Sequence, residues 1–266
     1  VASYWLREHG IDGWRMDVAR YVDPGFWVDF RRACREARPD AYLLAEIMGD
    51  ASPWLQGDRF DATMNYTFRD LCLGYFATRA LGTPAFLDGL ARMLAAYAPA
   101  VTEANHNLLS SHDTARFLHE AGGERDRLVP AVLFQLTAPG APGLYYGDEV
   151  GMSGGVEPAS RGAFPWDRPA DWDRPLLATV RALAGLRRAH PALRRGDWRL
   201  LWQGEEAFAF SRRHDGEEVV VLVNRGPALA RVEVPVTAPI GRLLWGEGQA
   251  RLESGGLGLE GIPAGR

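Results

Sequence analysis

Short apolar runs alternate with longer amphipathic ones through the first two thirds of the chain, and this alternation predicts parallel βα units. Five strands are expected, at Ile11–Asp17, Tyr42–Glu46, Phe60–Met64, Leu108–Ser111 and Gly143–Gly147, with helical sequence between each and the next. Five such units do not close a barrel of eight. Residues 1–9 read as the back half of a helix stopped by Gly10, so no strand is expected ahead of the first. Asp23–Pro24 supplies a cap and a first-turn proline. Phe26, Phe30 and Ala33 then share one face of a helix running to Ala37. A last helix is expected over Leu176–Ala189, ended by His190–Pro191, because a residue before proline leaves the helical region.

Near Trp198 the period changes. Apolar or alternating runs at Ala207–Phe210, Val219–Val223, Arg231–Val234 and Leu243–Trp245 are split by turn sequences at 214–216, 224–227 and 246–248. That spacing predicts a small antiparallel β-sandwich. The expected organisation is an α/β unit over residues 1–193 and a β-sandwich over 194–266.

Composition narrows the partners. The chain has 266 residues, 47% of them hydrophobic and 24% charged, enough to bury a sizeable core. A formal net charge of −4 without a basic stripe argues against nucleic acid. No apolar run reaches the ~20 residues that cross a bilayer, and Arg7 and Glu8 interrupt residues 1–10 as a signal sequence. The default expectation is a cytoplasmic location and no membrane partner. Cys34 and Cys72 have neither metal nor redox spacing and read as buried free thiols. Gly151–Gly155 is glycine-rich but lacks the Gly-Lys-Ser/Thr continuation of a phosphate loop.

The candidate chemistry lies in three carboxylates, Asp17, Glu46 and Asp113, each expected as the last residue of a strand, where βα barrels carry their reacting groups. The strands of Asp17 and Glu46 are expected to be neighbours about 4.8 Å apart. Their carboxyl groups can then approach about 5–5.5 Å, the separation of a retaining double displacement at an anomeric carbon. Arg15 shares the strand face of Asp17 and would hold that carboxylate ionised. Glu46 follows Leu43, Leu44 and Ala45, an apolar approach that would raise its pKa as a proton donor requires. Asp113, beside His112, could hydrogen-bond sugar hydroxyls and stabilise an oxocarbenium-like transition state. Trp14 and Tyr145 could stack on sugars, but strand-interior positions favour core packing. Asp148–Glu149 reads as a cap for the segment after the fifth strand.

At these residues the chain resembles the α-amylase family of retaining glycosidases, glycoside hydrolase family 13. Gly13-Trp14-Arg15-Met16-Asp17-Val18-Ala19 is similar to the family's nucleophile strand, Ala45-Glu46-Ile47 to its acid/base strand, and Ser111-His112-Asp113-Thr114 to its third-carboxylate motif. Phe60–Tyr66 and Gly140–Met152 resemble the branch of neopullulanase, cyclomaltodextrinase and maltogenic amylase, and the similarity continues through Arg161 and Phe164–Asp167. The resemblance implies the C-terminal part, strands 4 to 8, of a TIM (β/α)8 barrel followed by the sandwich. It implies Asp17 as nucleophile, Glu46 as proton donor and Asp113 as transition-state stabiliser, acting on α-glucans. Arg15 and His112 match two further recurrent polar positions. Trp14, Arg20, Met48, Tyr66 and Arg116 complete the expected substrate side.

Three departures bear on the expectation. The family's earlier strands, with an Asn-His pair that shapes the sugar subsite, have no counterpart, which would leave that subsite open on one side. Met48 stands where this branch commonly has Trp, and Arg20-Tyr21 follow the nucleophile motif, so the preference between α-1,4 and α-1,6 bonds and between hydrolysis and transglycosylation is left open, with an α-1,6-glucosidase or a disaccharide isomerase of the same family as a further alternative. The calcium ligands of many α-amylases lie partly in the strands without counterpart, so calcium belongs to the intact protein and no metal or cofactor is expected here. An open half-barrel also exposes two strand edges and an apolar inner face, which predicts a homo-oligomer or association with the complementary barrel half. An inactive, glucan-binding fragment is the alternative expectation.

Overall fold

The computed structural model describes residues 1–236, 241–253 and 256–264. Helix α1 (Ala2–Glu8) leads into strand β1 (Gly13–Met16) through Gly10, whose φ of +64° is the left-handed turn glycine adopts at no steric cost. Helix α2 (Pro24–Ala37) follows, with the Asp23 carboxylate accepting from the Gly25 and Phe26 amides. Strand β2 (Tyr42–Ala45) and strand β3 (Ala62–Asn65) come next. Helix α3 (Tyr66–Cys72), helix α4 (Thr83–Ala95) and helix α5 (Pro99–Ala104) bring the chain back to strand β4 (His106–Leu108). Helix α6 (Phe117–Glu120) and helix α7 (Arg125–Thr137) precede strand β5 (Ala141–Gly143). A long irregular loop then reaches helix α8 (Arg174–Ala189) and helix α9 (Pro191–Arg195).

The five strands form one parallel sheet in the order β1-β2-β3-β4-β5, each bonded to its neighbours in sequence. This is the sheet of a partial TIM barrel. Gly13 permits the close approach of β1 and β2, since a Cβ there would lie 2.0 Å from the Tyr42 carbonyl oxygen. Leu44, Ala62, Met64, Tyr66 and Leu108 make a small apolar cluster of their own, apart from the main core between the strands and the helices.

Two strands sit elsewhere than the hydrophobic runs predict. The fourth is His106–Leu108, because Ser110 and Ser111 turn their hydroxyls onto the loop backbone: Ser110 Oγ accepts from the Phe117 amide at 2.9 Å, and Ser111 Oγ from the Asp113 amide at 3.3 Å. The fifth is Ala141–Gly143, paired His106 to Ala141 and Leu108 to Gly143, and Gly147 at φ +86° turns the chain away. Tyr145 and Tyr146 therefore belong to the loop, not to a strand interior.

Antiparallel strands follow: β6 (Asp197–Gln203), β7 (Ala207–His214), β8 (Glu217–Asn224), β9 (Leu229–Val234), β10 (Gln249–Glu253) and β11 (Gly256–Ile262). They form two three-stranded sheets, β6-β7-β8 and β10-β11-β9. Alternation along β7 and β8 splits their side chains between two cores. Ala209, Val220 and Leu222 meet Val232, Val234 and Leu257 of the other sheet, whereas Phe208, Phe210, Val219 and Val221 join the main core of the α/β part. Phe208 and Phe210 pack on Phe134 of α7 with ring centroids 5.8 and 6.1 Å away. The expected strand at Leu243–Trp245 is instead irregular, and Leu244 and Trp245 pack against the main core. Leu243 stays half exposed, and the short apolar run between Gly241 and Gly246 forms no ladder. Among the described residues, no helix is long and apolar enough to cross a membrane.

Candidate active site

The β1–β2 ladder runs one step past both strands, with the Glu46 amide donating to the Met16 carbonyl at 2.9 Å. Asp17 and Glu46 thus follow adjacent, parallel strands and emerge side by side. Arg15 joins them: Nη1 donates to Asp17 Oδ1 and Nη2 to Glu46 Oε1, each at 2.5 Å, while Nε faces Met64 Sδ of β3 at 3.5 Å. One planar guanidinium therefore fixes two carboxylates, a geometry its fork of donors suits.

The two acids lie in different surroundings. The Asp17 side chain is 68% exposed and that of Glu46 11%. The Arg15 guanidinium, and next a hydrogen bond with Glu46, hold the Asp17 carboxyl below the usual carboxylate range. Burial pushes Glu46 up, against the pull of the Val18 amide and Arg15; its hydrogen bonds to Asp17 and Asp113 push the same way. Both directions are those expected from the sequence: the Asp17 carboxyl is held down and that of Glu46 pushed up.

Asp113 is not a strand-terminal residue. It lies five positions beyond β4, in a loop that brings its carboxylate back to Glu46, and donor atoms of Glu46, His112 and Asp113 lie within 4.8 Å of one another. His112 Nε2 is 3.1 Å from Asp113 Oδ2, and Arg161 Nη2 is 3.0 Å from Asp113 Oδ1. Arg161 Nε and Ser160 Oγ both donate to the His112 carbonyl at 3.1 Å. This cluster does not fit calcium, which takes six to eight oxygens; here a few oxygens face the guanidiniums of Arg15 and Arg161.

The other expected substrate contacts divide. Met48 is exposed beside the site, on the loop after β2. Arg20 serves that loop, donating to the carbonyls of Met48 at 2.8 Å and Asp50 at 3.2 Å. Trp14 packs against Phe30 of α2, edge to face at 6.3 Å, on the helix side of β1 and away from the carboxylates. Tyr66 is buried and gives its hydroxyl proton to Ser111 Oγ at 3.2 Å, so it supports the Asp113 loop. Arg116 is fully buried and bonds Tyr146, Ser160 and Asp148. It too is removed from the substrate side, because no guanidinium atom is left in contact with solvent.

Two contributors escaped the sequence reading, the Val18 amide and Ser160, and Arg161 was named there only for its resemblance, without a role. Val18 adopts φ +51°, ψ +34°, and its amide donates to Glu46 Oε2 at 2.9 Å. Arg161 reaches Asp113 across 48 positions of sequence, a separation no local pattern reports.

A parallel βα sheet with two carboxylates bridged at adjacent strand ends, and a third on a neighbouring loop, defines a (β/α)-barrel enzyme-type centre of the acid pair class. The match to known proteins makes it specific: residues 1–171 match the family model of the α-amylase catalytic domain, and the chain belongs to that family. It is 43% identical over 240 residues to a cyclomaltodextrinase of Geobacillus thermopakistaniensis, covering 90% of this chain and 41% of that one. It is 42% identical over 229 residues to neopullulanase 2 of Thermoactinomyces vulgaris, covering 85% and 39%. The debranching enzyme from Nostoc punctiforme superposes with a TM-score of 0.90 at 35% identity, covering 99% of this chain and 58% of that one. The chain therefore spans about two fifths of the curated relatives it matches.

Proposed function

We propose that this chain carries the reacting carboxylates of an α-glucan hydrolase or transglycosylase that works with retention of anomeric configuration. The observation that supports it is the bridging of Asp17 and Glu46 by the one Arg15 guanidinium at adjacent strand ends, with the exposed acid shifted down and the buried one up. Asp17 attacks the anomeric carbon while Glu46 gives its proton to the departing glycosidic oxygen. The bond to the leaving group breaks as that to Asp17 Oδ forms. Water then enters, Glu46 takes its proton, and the glycosyl–Asp17 ester is cleaved. Asp113 hydrogen-bonds the sugar and offsets positive charge in both transition states. Residues 1–193 supply this chemistry and 194–266 the supporting sandwich module.

The substrates we propose are maltodextrin, cyclodextrin or pullulan, with α-1,4 bonds preferred. The relatives' names, one a cyclomaltodextrinase, one a neopullulanase and one a debranching enzyme, support an α-glucan and leave α-1,6 bonds as the competing preference. The test is reducing-sugar release from cyclodextrin, pullulan and soluble starch, with Glu46→Gln and Asp17→Asn as controls. Loss of on the order of 10²-fold or more in both variants supports the roles. Products of inverted configuration in a time-resolved anomer assay would exclude them.

A second reading has its own observation: the 68% exposure of Asp17 leaves the proposed nucleophile in water. On that reading this chain alone binds glucan without turnover, and activity appears only when further barrel strands cover Asp17.

A further inference from the structure

Arg116 is a charged side chain with no exposed surface, and it bonds two backbone carbonyls and one carboxylate. Its Nε donates to the Ser160 carbonyl at 3.1 Å, and its Nη1 to the Tyr146 carbonyl at 2.7 Å and to Asp148 Oδ1 at 2.9 Å. The rings of Tyr145 and Tyr146 lie 4.4 and 4.9 Å from its guanidinium carbon. Burying a cation is costly unless it is paired and hydrogen-bonded, and here Nη2 has no hydrogen-bond partner. The Asp148 carboxylate pairs the charge, and the remaining bonded donors hold the Ser160 and Tyr146 carbonyls.

What it holds is the turn at Ala159–Arg161. Ser160, itself fully buried, receives Arg116 on its carbonyl and gives its hydroxyl proton to the His112 carbonyl at 3.1 Å. The next residue, Arg161, reaches the same carbonyl and the Asp113 carboxylate. Arg116 also follows Asp113 by only three positions, and its own amide donates to the Gly154 carbonyl at 2.9 Å. The loop after β4 and the loop after β5 are thus closed on each other from behind the carboxylate.

We propose that Arg116 and Ser160 are positioning residues for His112–Asp113, acting through the 159–161 turn and touching no substrate. This rests on reading Asp113 as one of the reacting carboxylates. Lysine cannot replace Arg116, because a single ammonium lacks the planar fork that spans two carbonyls and a carboxylate. Misplacing a reacting group by about 1 Å costs up to roughly 10²-fold in rate.

The test compares the 266-residue chain with Ser160→Ala, Arg116→Lys and Asp113→Asn. The readouts are cyclodextrin hydrolysis and backbone hydrogen exchange by mass spectrometry. Ser160→Ala deletes one hydroxyl and should fold even if Arg116→Lys does not. The expected result for Ser160→Ala is kcat lowered on the order of 10-fold or more, KM within about twofold, and faster exchange confined to residues 108–116. Wild-type kcat, a change in KM alone, or unchanged exchange over 108–116 would each overturn the proposal. Failure of the functional reading looks different: Asp113→Asn keeps the full rate, or the parent chain cleaves nothing. In the latter case the exchange data alone decide, with unaltered protection in Ser160→Ala overturning the clamp and faster exchange over 108–116 supporting it.

Discussion

The amide of Val18 donates to Glu46 Oε2 at 2.9 Å, and it does so from a left-handed backbone, φ +51°. A β-branched residue rarely adopts this region, at a cost of about 1–2 kcal/mol. The conformation turns the chain directly after Asp17, so that the amide of the next residue faces Glu46 at the end of the neighbouring strand. It is one of the contacts that hold Glu46 in place while burial raises its pKa.

Val18→Gly should keep this amide bond and relieve the backbone. We expect stability unchanged or raised by up to about 1 kcal/mol, since gained comfort at φ > 0 is offset by entropy lost from the unfolded glycine. Chemical denaturation measures it, and a loss of more than about 1 kcal/mol would contradict the strain argument.

Arg15 lowers the pKa of both partners, Asp17 as its largest influence and Glu46 through its charge. The kcat/KM profile should be bell-shaped, with the acid limb from Asp17 and the basic limb from Glu46. In Arg15→Met both limbs should move to higher pH, and the peak should fall by about 10²-fold. A displaced basic limb with an unmoved acid limb would contradict the bridging role.

Burial lifts Asp148 from 3.8 to about 6, although the Arg116 guanidinium and the Ser110 hydroxyl pull it down. The folded state therefore holds this proton more tightly than the unfolded chain. Its contribution is full below the unfolded pKa and is lost as pH rises through about 6, by up to about 3 kcal/mol. Urea midpoints between pH 4 and 7 should show this decline in the parent and not in Asp148→Asn. Arg116→Met, which leaves the Asp148 carboxylate buried without its cation, should cost about 3–5 kcal/mol at pH 7.

Among the described residues β1 bonds to β2 alone and β5 to β4 alone, so both sheet edges present unpaired backbone groups. Such edges template further pairing. We expect the chain to self-associate, with a sedimentation coefficient that rises with concentration and binding of a hydrophobic dye. A monodisperse monomer without dye binding would argue against it.

Much of this was legible in sequence because it is local. Strand and helix periods, the Asp23 cap and the Gly10 stop each depend on a few consecutive residues. Asp17 and Glu46 could be placed together because consecutive βα units lie side by side, and Arg15 because strand faces repeat every two residues. The limits of β4 and β5 were not legible, since Ser110 and Ser111 bond the loop backbone in place of a ladder. Neither was the fate of Arg116: a charged residue next to a reacting motif reads as a ligand contact, and only packing removes it from solvent.

The sequence by itself determined the class of fold, the antiparallel module behind it and the three carboxylates, because residue type and period suffice for these. Tertiary structure decided which groups serve those carboxylates. Arg161 and Ser160 reach the Asp113 loop from 48 positions away, and Tyr66 reaches it from the start of α3. These pairings come from two loops closing over one sheet edge, and the interaction of distant segments leaves no spacing in the chain to read.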